Sequence, residues 1–298
     1  MKIVIAGASG LVGSALAPAL RNAGHEVFRL VRGRGANAPD EIAWDPAAGE
    51  IDLSRLAGTG AIINLAGENL AAGRWTAARR ERILRSRVDA TRTLVTAMTK
   101  LDRKPTAFLS ASAVGFYGNC GDNVLSEASG IGHGFLPEVC LAWETHAEGA
   151  SRVGVRTALL RFGLILAREG GALAKMLPLF RLGLGGRLGS GGQWMSWIGI
   201  ADVVGGIAHV LENSRCAGPM NFVAPAAVTN AEFTRVLAGV LHRPAVLPAP
   251  AWALRMAFGQ QMADEALLSS TRALPKRLTE SGYGFRYSTV GTALSAVL

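Results

Sequence analysis

The chain has 298 residues, of which 49% are apolar and 18% are charged, and its formal net charge at pH 7 is +9. The apolar content is ample for the core of one large α/β domain or of a domain with a lobe. The positive charge could indicate a nucleic-acid or membrane partner. The low charged fraction argues against nucleic-acid binding. The lack of an apolar run of about 18 residues argues against a membrane-spanning helix.

The three cysteines help to decide whether the chain carries disulfides or a metal site. Cys120, Cys140 and Cys216 form no CxxC pair, and their odd number favours neither a disulfide framework nor a zinc site. We therefore expect no metal and a reduced, cytoplasmic compartment. We also expect no secretory signal peptide, because the apolar N-terminus runs within a few residues into a glycine turn.

The first 32 residues read as a strand, a glycine turn, a helix and a second strand. Ile3 to Ile5 form an unbroken apolar run, Gly7, Gly10 and Gly13 follow, and the next strand begins at Glu26. Such glycines allow a tight turn, a close approach of the backbone to a pyrophosphate and tight helix packing, while the helix offers free N–H groups to phosphates. The pattern predicts a dinucleotide site; the alternative is a glycine turn without a ligand.

The end of the second strand indicates which dinucleotide is bound. Arg32 stands there, Arg34 follows, and no acidic residue occurs before Asp40. A cation at this point accommodates the 2′-phosphate of NADP, whereas a carboxylate would bind the ribose of NAD. We therefore predict NADP(H); the alternative is that Arg32 is a solvated surface charge.

The next elements add candidates at the same edge of the sheet. A short third strand is predicted over 41–44 and a buried fourth strand over 61–66, so Gly67, Glu68 and Asn69 should lie near the cofactor. A helix from about Thr76 to Thr99 follows, with Ile83, Ala90, Leu94 and Met98 facing inward. Its arginines, Arg79, Arg80, Arg82, Arg85 and Arg87, lack interleaved aromatic residues, so we expect a solvated face and no nucleic-acid partner.

The fifth strand, over 106–109, delivers hydroxyl groups to this edge. Ser110, Ala111 and Ser112 follow it, and Tyr117 comes five residues later. Ser110 and Ala111 are candidate cofactor contacts, and Ser112 and Tyr117 are candidate catalytic residues. A serine and a tyrosine beside a nicotinamide could polarise a carbonyl and pass a proton. The alternative is that Ser112 caps a turn and Tyr117 simply packs.

The second half of the chain is predicted to hold a sixth strand within 155–166, a seventh strand over 221–223, helices over 134–151, 201–212 and 230–241, and a mostly helical tail over 252–298. Arg161, in the sixth strand, is a further candidate cofactor contact. Residues 168–199 are rich in glycine and carry cations and tryptophans, which suits a small polar ligand with a phosphate or carboxylate and a ring. The candidate substrate-binding residues are Asn69, Lys175, Arg181, Gln193 and Trp197, with Arg187 and Trp194 nearby; the alternative is an insertion packed for its own sake.

Several stretches together resemble the extended short-chain dehydrogenase/reductase superfamily, and within it the epimerase-family, or nucleoside-diphosphate-sugar epimerase, branch. The stretches are GASGLVG at 7–13, INLAGENLAAGRW at 63–75, SRVDATRTL at 86–94, SASAVGFYG at 110–118, WE at 143–144, SWIGIAD at 196–202 and PAPAWALRMAFG from 248. The resemblance implies an α/β fold: a Rossmann-type doubly wound parallel sheet with a smaller, mostly helical C-terminal substrate lobe.

The resemblance also implies domains and site residues. Residues 1–167 and about 200–224 would form the NADP-binding domain, and 168–199 with 225–298 the lobe, including a C-terminal module at about 246–294. Matching positions imply a catalytic role for Ser112. They imply cofactor contacts at Gly7, Ser9, Gly10, Leu11, Val12, Arg32, Leu65, Ala66 and Gly67.

The chain departs from the superfamily where the reaction is concerned. The usual catalytic tyrosine and lysine align with Leu136 and Cys140, and Gly199 stands where the branch more often has a histidine. We expect an NADP-dependent oxidoreductase or epimerase-like enzyme for a small polar, nucleotide-sugar-type substrate, with Tyr117, assisted by Ser112, or His133 as proton donor. The alternative is a catalytically degenerate NADP-binding sensor or regulatory protein. Whether the chain forms a homodimer stays open.

Overall fold

The computed structural model describes residues 1–33 and 38–298; Arg34 lies outside the described residues. The strands are β1 (Lys2–Ala6), β2 (Glu26–Arg32), β3 (Glu41–Asp45), β4 (Glu50–Ile51), β5 (Ala61–Asn64), β6 (Ala107–Ala113), β7 (Val124–Leu125), β8 (Arg156–Phe162), β9 (Leu164–Leu166), β10 (Trp194–Met195), β11 (Trp197–Gly199), β12 (Gly218–Phe222), β13 (Val228–Thr229) and β14 (Arg272–Ala273). The helices are α1 (Leu11–Asn22), α2 (Leu53–Leu56), α3 (Ala77–Lys100), α4 (Phe135–Arg152), α5 (Gly171–Arg181), α6 (Ile200–Glu212), α7 (Asn230–Leu241), α8 (Ala251–Phe258), α9 (Gln260–Met262), α10 (Lys276–Glu280) and α11 (Val290–Val297), with a 3-10 turn at Val114–Tyr117 and a π-helical turn at Ala263–Leu267.

The central sheet follows the order β12-β8-β6-β5-β1-β2-β3-β4 within the described residues. Its neighbouring strands run parallel, except that β4 is antiparallel to β3 at one edge. The chain starts in the middle, builds outward through β2 and β3, and then crosses to β5 on the other side of β1. This reversal of direction opens a crevice at the carboxyl ends of β1 and β5, where ligands bind in such sheets.

Helices cover both faces of the sheet, as the apolar runs in its strands require. Ile3 and Ile5 of β1 belong to a core cluster with α1 and α6, whereas Val4 and Ala6 belong to a cluster with α3 and α4. Alternate residues of one strand therefore pack on opposite layers. The predicted Rossmann-type doubly wound fold is confirmed.

The C-terminal part adds short helices and packs against two regions. Leu177, Phe233 and Leu294, from α5, α7 and α11, share a separate core cluster. Leu278 of α10, however, is buried in the cluster of α1 and α6, and Tyr283 packs against it. The boundaries between a cofactor domain and a lobe stay a prediction. No helix of the described chain is long and apolar enough to cross a lipid bilayer.

Candidate functional site

In the glycine turn after β1, two of the three glycines pack tightly against the backbone and the third is exposed. Gly7 has φ +78°, and a Cβ on it would lie 2.7 Å from the carbonyl carbon of Leu65 on the neighbouring strand connection. A Cβ on Gly13 would lie 2.4 Å from the carbonyl oxygen of Gly7. Gly10 is exposed, and a Cβ on it would meet the Gly7 carbonyl oxygen at 3.3 Å. Gly7 and Gly13 are thus fixed by packing, while Gly10 leaves room for another molecule.

The turn ends at the N-terminus of α1, which is suited to an anion. Gly10 caps this helix without a side-chain hydrogen bond, and the first turn holds no acidic residue. Ser9 is exposed and Leu11 and Val12 are half-buried. The unpaired N–H groups and the helix dipole at this end favour a phosphate.

Neighbouring strands bring further predicted cofactor residues to the same edge. Arg32 is exposed at the end of β2, which pairs with β1, and Leu65 to Gly67 follow β5 on the other side. The structure thus gathers at one crevice the residues Gly7, Ser9, Gly10, Leu11, Val12, Gly13, Arg32, Leu65, Ala66 and Gly67. Their contact with a cofactor stays a prediction.

Glu68 and Asn69 face α3 in part. The Glu68 carboxylate accepts a hydrogen bond from Arg79 Nη1 at 2.8 Å and lies 3.6 Å from Arg82 Nε. The Asn69 carbonyl accepts from Arg79 Nη2 at 2.5 Å, and Asn69 itself is exposed. The Glu68 carboxylate therefore serves first to hold this loop on α3.

The residues at the end of β6 lie deeper than the sequence suggested. Ser110 is 0% and Ser112 2% exposed. Ser112 Oγ donates to Glu144 Oε1 at 2.6 Å, and Arg161 donates from Nε and Nη2 to the same carboxylate at 2.8 and 2.7 Å. Ala111 is also buried. Ser110, Ala111 and Arg161 are buried in the sheet, and Arg161 neutralises Glu144; their predicted contact with a cofactor stays a prediction.

Tyr117 is likewise a buried residue. It is 0% exposed; its hydroxyl donates to Asn221 Oδ1 at 2.7 Å and accepts from Arg161 Nη1 at 3.0 Å. Burial raises the pKa of the Tyr117 hydroxyl. The 3-10 turn thus places the Tyr117 side chain in the protein interior, and the predicted catalytic roles of Tyr117 and Ser112 stay predictions.

A cavity of about 510 Å³ lies beyond the end of β6, between α4 and the C-terminal part. Leu136 and Cys140 of α4, where relatives of the superfamily would carry tyrosine and lysine, both line it. Burial, together with the nearby Glu144 carboxylate, raises the pKa of the Cys140 thiol to about 12. This part of the wall is therefore apolar and uncharged at neutral pH.

The two tryptophans of this region lie in different surroundings. Trp197 is 0% exposed and donates from Nε1 to a backbone carbonyl, so it lies in the core and away from the cavity wall, and its predicted role in binding a substrate stays a prediction. Trp194 lines the cavity instead, with its Nε1 donating to Asp122 Oδ1 at 2.9 Å and the Arg272 guanidinium 4.1 Å from its ring centre. His133, the other proposed donor, also lines the cavity.

The remaining substrate candidates lie outside the cavity wall. Gln193 is buried and donates from Nε2 to backbone carbonyls of two neighbouring loops. Lys175 donates to the carbonyl of Ala71, which ties α5 to the loop after β5. Arg181 is exposed at the end of α5. These side chains hold the loops or face solvent, and a role in binding a substrate stays a prediction.

Two residues of the cavity wall escaped sequence reasoning. Arg87 was assigned to the solvated face of α3 but is buried at the cavity. Its spacing of four from Ile83 and three from Ala90 on the inward stripe could have revealed this. Glu265, in the π-helical turn, accepts from the backbone N–H of Leu136 at 2.8 Å. No local pattern announces such a contact across 129 residues.

The chain is similar to known proteins along its whole length. Residues 3–223 match the profile of the NAD dependent epimerase/dehydratase family, and residues 249–297 match a domain of unknown function, DUF1731. An epimerase family protein of Mycobacterium bovis is 44% identical over 98% of this chain and 96% of its own length. The human epimerase family protein SDR39U1, solved with NADPH, is 34% identical, with a TM-score of 0.90, over 100% of this chain and 99% of its own. A nucleoside-diphosphate sugar epimerase from Corynebacterium glutamicum is 34% identical, with a TM-score of 0.81, over 100% of this chain and 58% of its own.

Proposed function

We propose that this chain, which belongs to the NAD dependent epimerase/dehydratase family, is an NADP(H)-dependent oxidoreductase or epimerase-like enzyme for a small polar substrate. One observation carries the proposal: the open glycine turn, the α1 N-terminus and Arg32 stand together at the carboxyl edge of the parallel sheet. Gly10 is exposed, so the turn is open to a pyrophosphate, and the exposed Arg32 would bind a 2′-phosphate. The human relative solved with NADPH supports the choice of cofactor.

A titration of the purified protein with NADPH and with NADH tests this proposal. Energy transfer from tryptophan to the reduced nicotinamide reports binding. We expect wild type to prefer NADPH. Arg32→Ala should lose about 10- to 100-fold in NADPH affinity while its NADH affinity stays unchanged, because a charge-assisted hydrogen bond contributes about 1.5–3 kcal/mol. Absence of binding to either nucleotide would refute the cofactor site and the enzyme with it.

The cavity beyond β6 is the proposed substrate site. A bound nicotinamide supplies or accepts a hydride. The chain's own residues shape the cavity with the apolar Leu136 and Cys140, while Trp194 provides a flat surface for a ring. The Tyr117 hydroxyl and the Ser112 hydroxyl are both occupied inside the protein, so the proton comes from a cavity group such as His133 or from solvent. A nucleotide-linked sugar is one substrate class; the Corynebacterium relative's description supports it.

A second candidate function is an NADP-binding sensor without turnover. It is favoured by the apolar pair Leu136 and Cys140 at the expected catalytic positions and by the burial of Tyr117. Two screens separate them: NADPH oxidation in the presence of carbonyl compounds, and epimer formation from nucleotide sugars by the NADP-loaded protein, because an epimerase regenerates its cofactor and consumes no NADPH. Turnover above the protein-free rate, retained in Tyr117→Phe, favours the enzyme; tight NADPH binding with no turnover on any compound favours the sensor.

A further inference from the structure

Arg87, on α3, presents a buried guanidinium to the cavity. It is 8% exposed; Nη1 donates to the Ile83 carbonyl at 3.0 Å and more weakly to Ser86 Oγ at 3.5 Å, and Nη2 donates to the Glu68 carbonyl at 3.1 Å. A guanidinium has five N–H groups. Three of the five are used, so two have no acceptor among residues 1–33 and 38–298.

This cation differs from other buried arginines nearby because it lacks an anionic partner. Arg161 lies 2.7 Å from the Glu144 carboxylate, and Arg79 lies 2.8 Å from Glu68. Among the described residues Arg87 forms no ion pair within 4.0 Å; the Glu68 carboxylate acts on its charge from a longer distance but pairs directly with Arg79. Burying an unpaired charge is costly, and neutral carbonyls offset the cost only in part. Direct pairing with an anion would therefore stabilise the Arg87 guanidinium further.

The surroundings of Arg87 favour a ligand in the cavity. The Trp143 ring, whose centre is 5.1 Å from the guanidinium carbon, lines the same wall and has a buried Nε1 without a partner among the described residues. Cys140, one turn earlier on α4, also lines this wall. The superfamily resemblance would place a lysine at Cys140, so the positive charge of this wall is delivered by α3 instead of α4.

We propose that Arg87 binds the negatively charged group of the substrate, a carboxylate or a phosphate, inside the cavity. The inference rests on the proposed function, because it takes this cavity as the substrate site. A planar guanidinium with free N–H groups suits two-point binding of either anion. The carboxylates at the cavity are engaged elsewhere: Asp264 pairs with Arg255 at 2.8 Å, and Glu265 accepts from the N–H of Leu136.

The experiment titrates two probe anions into NADP-saturated protein at constant ionic strength. Oxalate tests for a carboxylate ligand and inorganic phosphate for a phosphorylated one; calorimetry measures each affinity. The variants are Arg87→Gln, Arg87→Lys and, as a matched control, Arg85→Gln, whose exposed side chain pairs with Glu81 on the same helix. We expect wild type and Arg85→Gln to bind at least one anion alike, and Arg87→Gln to bind it about 10- to 100-fold more weakly.

Arg87→Lys keeps the positive charge but lacks the planar, two-pronged donor geometry of the guanidinium. It should therefore fold even where Arg87→Gln does not. Its affinity for the anion should be about 3- to 10-fold weaker than that of wild type. Equal anion binding by wild type and both Arg87 variants, or no anion binding by wild type, overturns the inference. A parallel NADPH titration separates its failure from that of the proposed function. Intact NADPH binding with no effect of Arg87 on anions refutes only the inference, whereas loss of NADPH binding in Arg87→Gln alone reassigns Arg87 to the cofactor.

Discussion

At the scale of single residues, the glycines of the first turn divide into two kinds. Gly13 lies within α1, where alanine is ordinarily preferred over glycine by about 1 kcal/mol. Its Cβ, however, would lie 2.4 Å from the Gly7 carbonyl oxygen. Backbone cannot yield at low cost, so steric overlap outweighs helix propensity here.

This division gives a first prediction. Gly13→Ala should lower the free energy of unfolding by about 2 kcal/mol or more, as overpacking does. Gly10→Ala should cost less, about 1 kcal/mol, because alanine is a poorer N-cap than glycine and its Cβ would lie 3.3 Å from the Gly7 carbonyl oxygen. It should also weaken NADPH binding at least about 10-fold, because its Cβ fills the approach to the turn. Urea unfolding and the NADPH titration measure the two effects. A Gly10→Ala protein that binds NADPH like wild type would show that the pyrophosphate lies elsewhere.

Cys140 gives a second prediction, on pH. Burial raises the pKa of its thiol from an ordinary value near 9 to about 12. Since the folded state holds this proton more tightly, the stabilising contribution is complete below pH 9 and is lost as pH rises from about 9 to about 12. Between pH 8 and pH 10, wild type should lose about 1 kcal/mol more in the free energy of unfolding than Cys140→Ala. Parallel slopes in urea-unfolding series at both pH values would contradict the raised pKa.

At the scale of elements, α4 is stabilised by a residue from far along the chain. Its N-cap position, Gly134, has no side chain, and Glu265 accepts from the N–H of Leu136 in the first turn. A Cβ on Gly134 would lie 3.0 Å from the Glu265 carboxyl carbon, so the glycine makes room for the carboxylate. The negative charge also complements the helix dipole.

The third prediction tests this cap. Glu265→Ala should lower the free energy of unfolding by about 1–2 kcal/mol, the usual loss for a helix cap. Glu265→Gln should lose less than half of that, because its amide oxygen still accepts from Leu136. Urea unfolding of both variants decides the point. Equal losses would indicate that the charge, rather than the hydrogen bond, stabilises α4.

Local sequence patterns predict the helices and strands better than they predict which side chains are buried. The predicted strands and helices of the first half were found because their apolar runs and glycine turns are local signals. Arg87 was misplaced because a charged residue on an inward stripe looks like a solvated one until its helix is packed. The burial of Tyr117 and Trp197 could not be predicted with certainty, because aromatic residues fill cores and line sites alike and spacing along the chain does not separate the two.

At the scale of the whole molecule, the C-terminal tail is part of the core and not an appendage. Leu278 is fully buried against the sheet, β14 pairs with β7, and Asp202 on α6 accepts hydrogen bonds from Tyr283 Oη and from the N–H of Arg286. The sequence of the tail does not show which layer of the fold it packs against, because these contacts form with residues of the folded sheet that are distant in the chain. Its short helices could be predicted, but their docking could not.

The fourth prediction follows from this docking. Leu278→Ala should cost about 2–5 kcal/mol and lower the melting temperature of the whole chain in one cooperative transition, because its cavity opens in the shared core. Met256→Ala, on an exposed side chain of the same tail, should change the stability by less than about 0.5 kcal/mol. Scanning calorimetry checks both. Two resolved transitions, with only the smaller one shifted by Leu278→Ala, would show an independently folding tail.

The buried hydrogen bonds that link Ser112 to Tyr117 carry a consequence for proton traffic. A proton wire needs groups that both accept and release a proton along the whole path. Arg161 occupies the middle, and a guanidinium only donates, both to Glu144 and to the Tyr117 hydroxyl. The network therefore cannot transfer a proton past Arg161. Any proton that this protein exchanges with a substrate in the cavity must come from outside this network, from a cavity side chain such as His133 or from solvent.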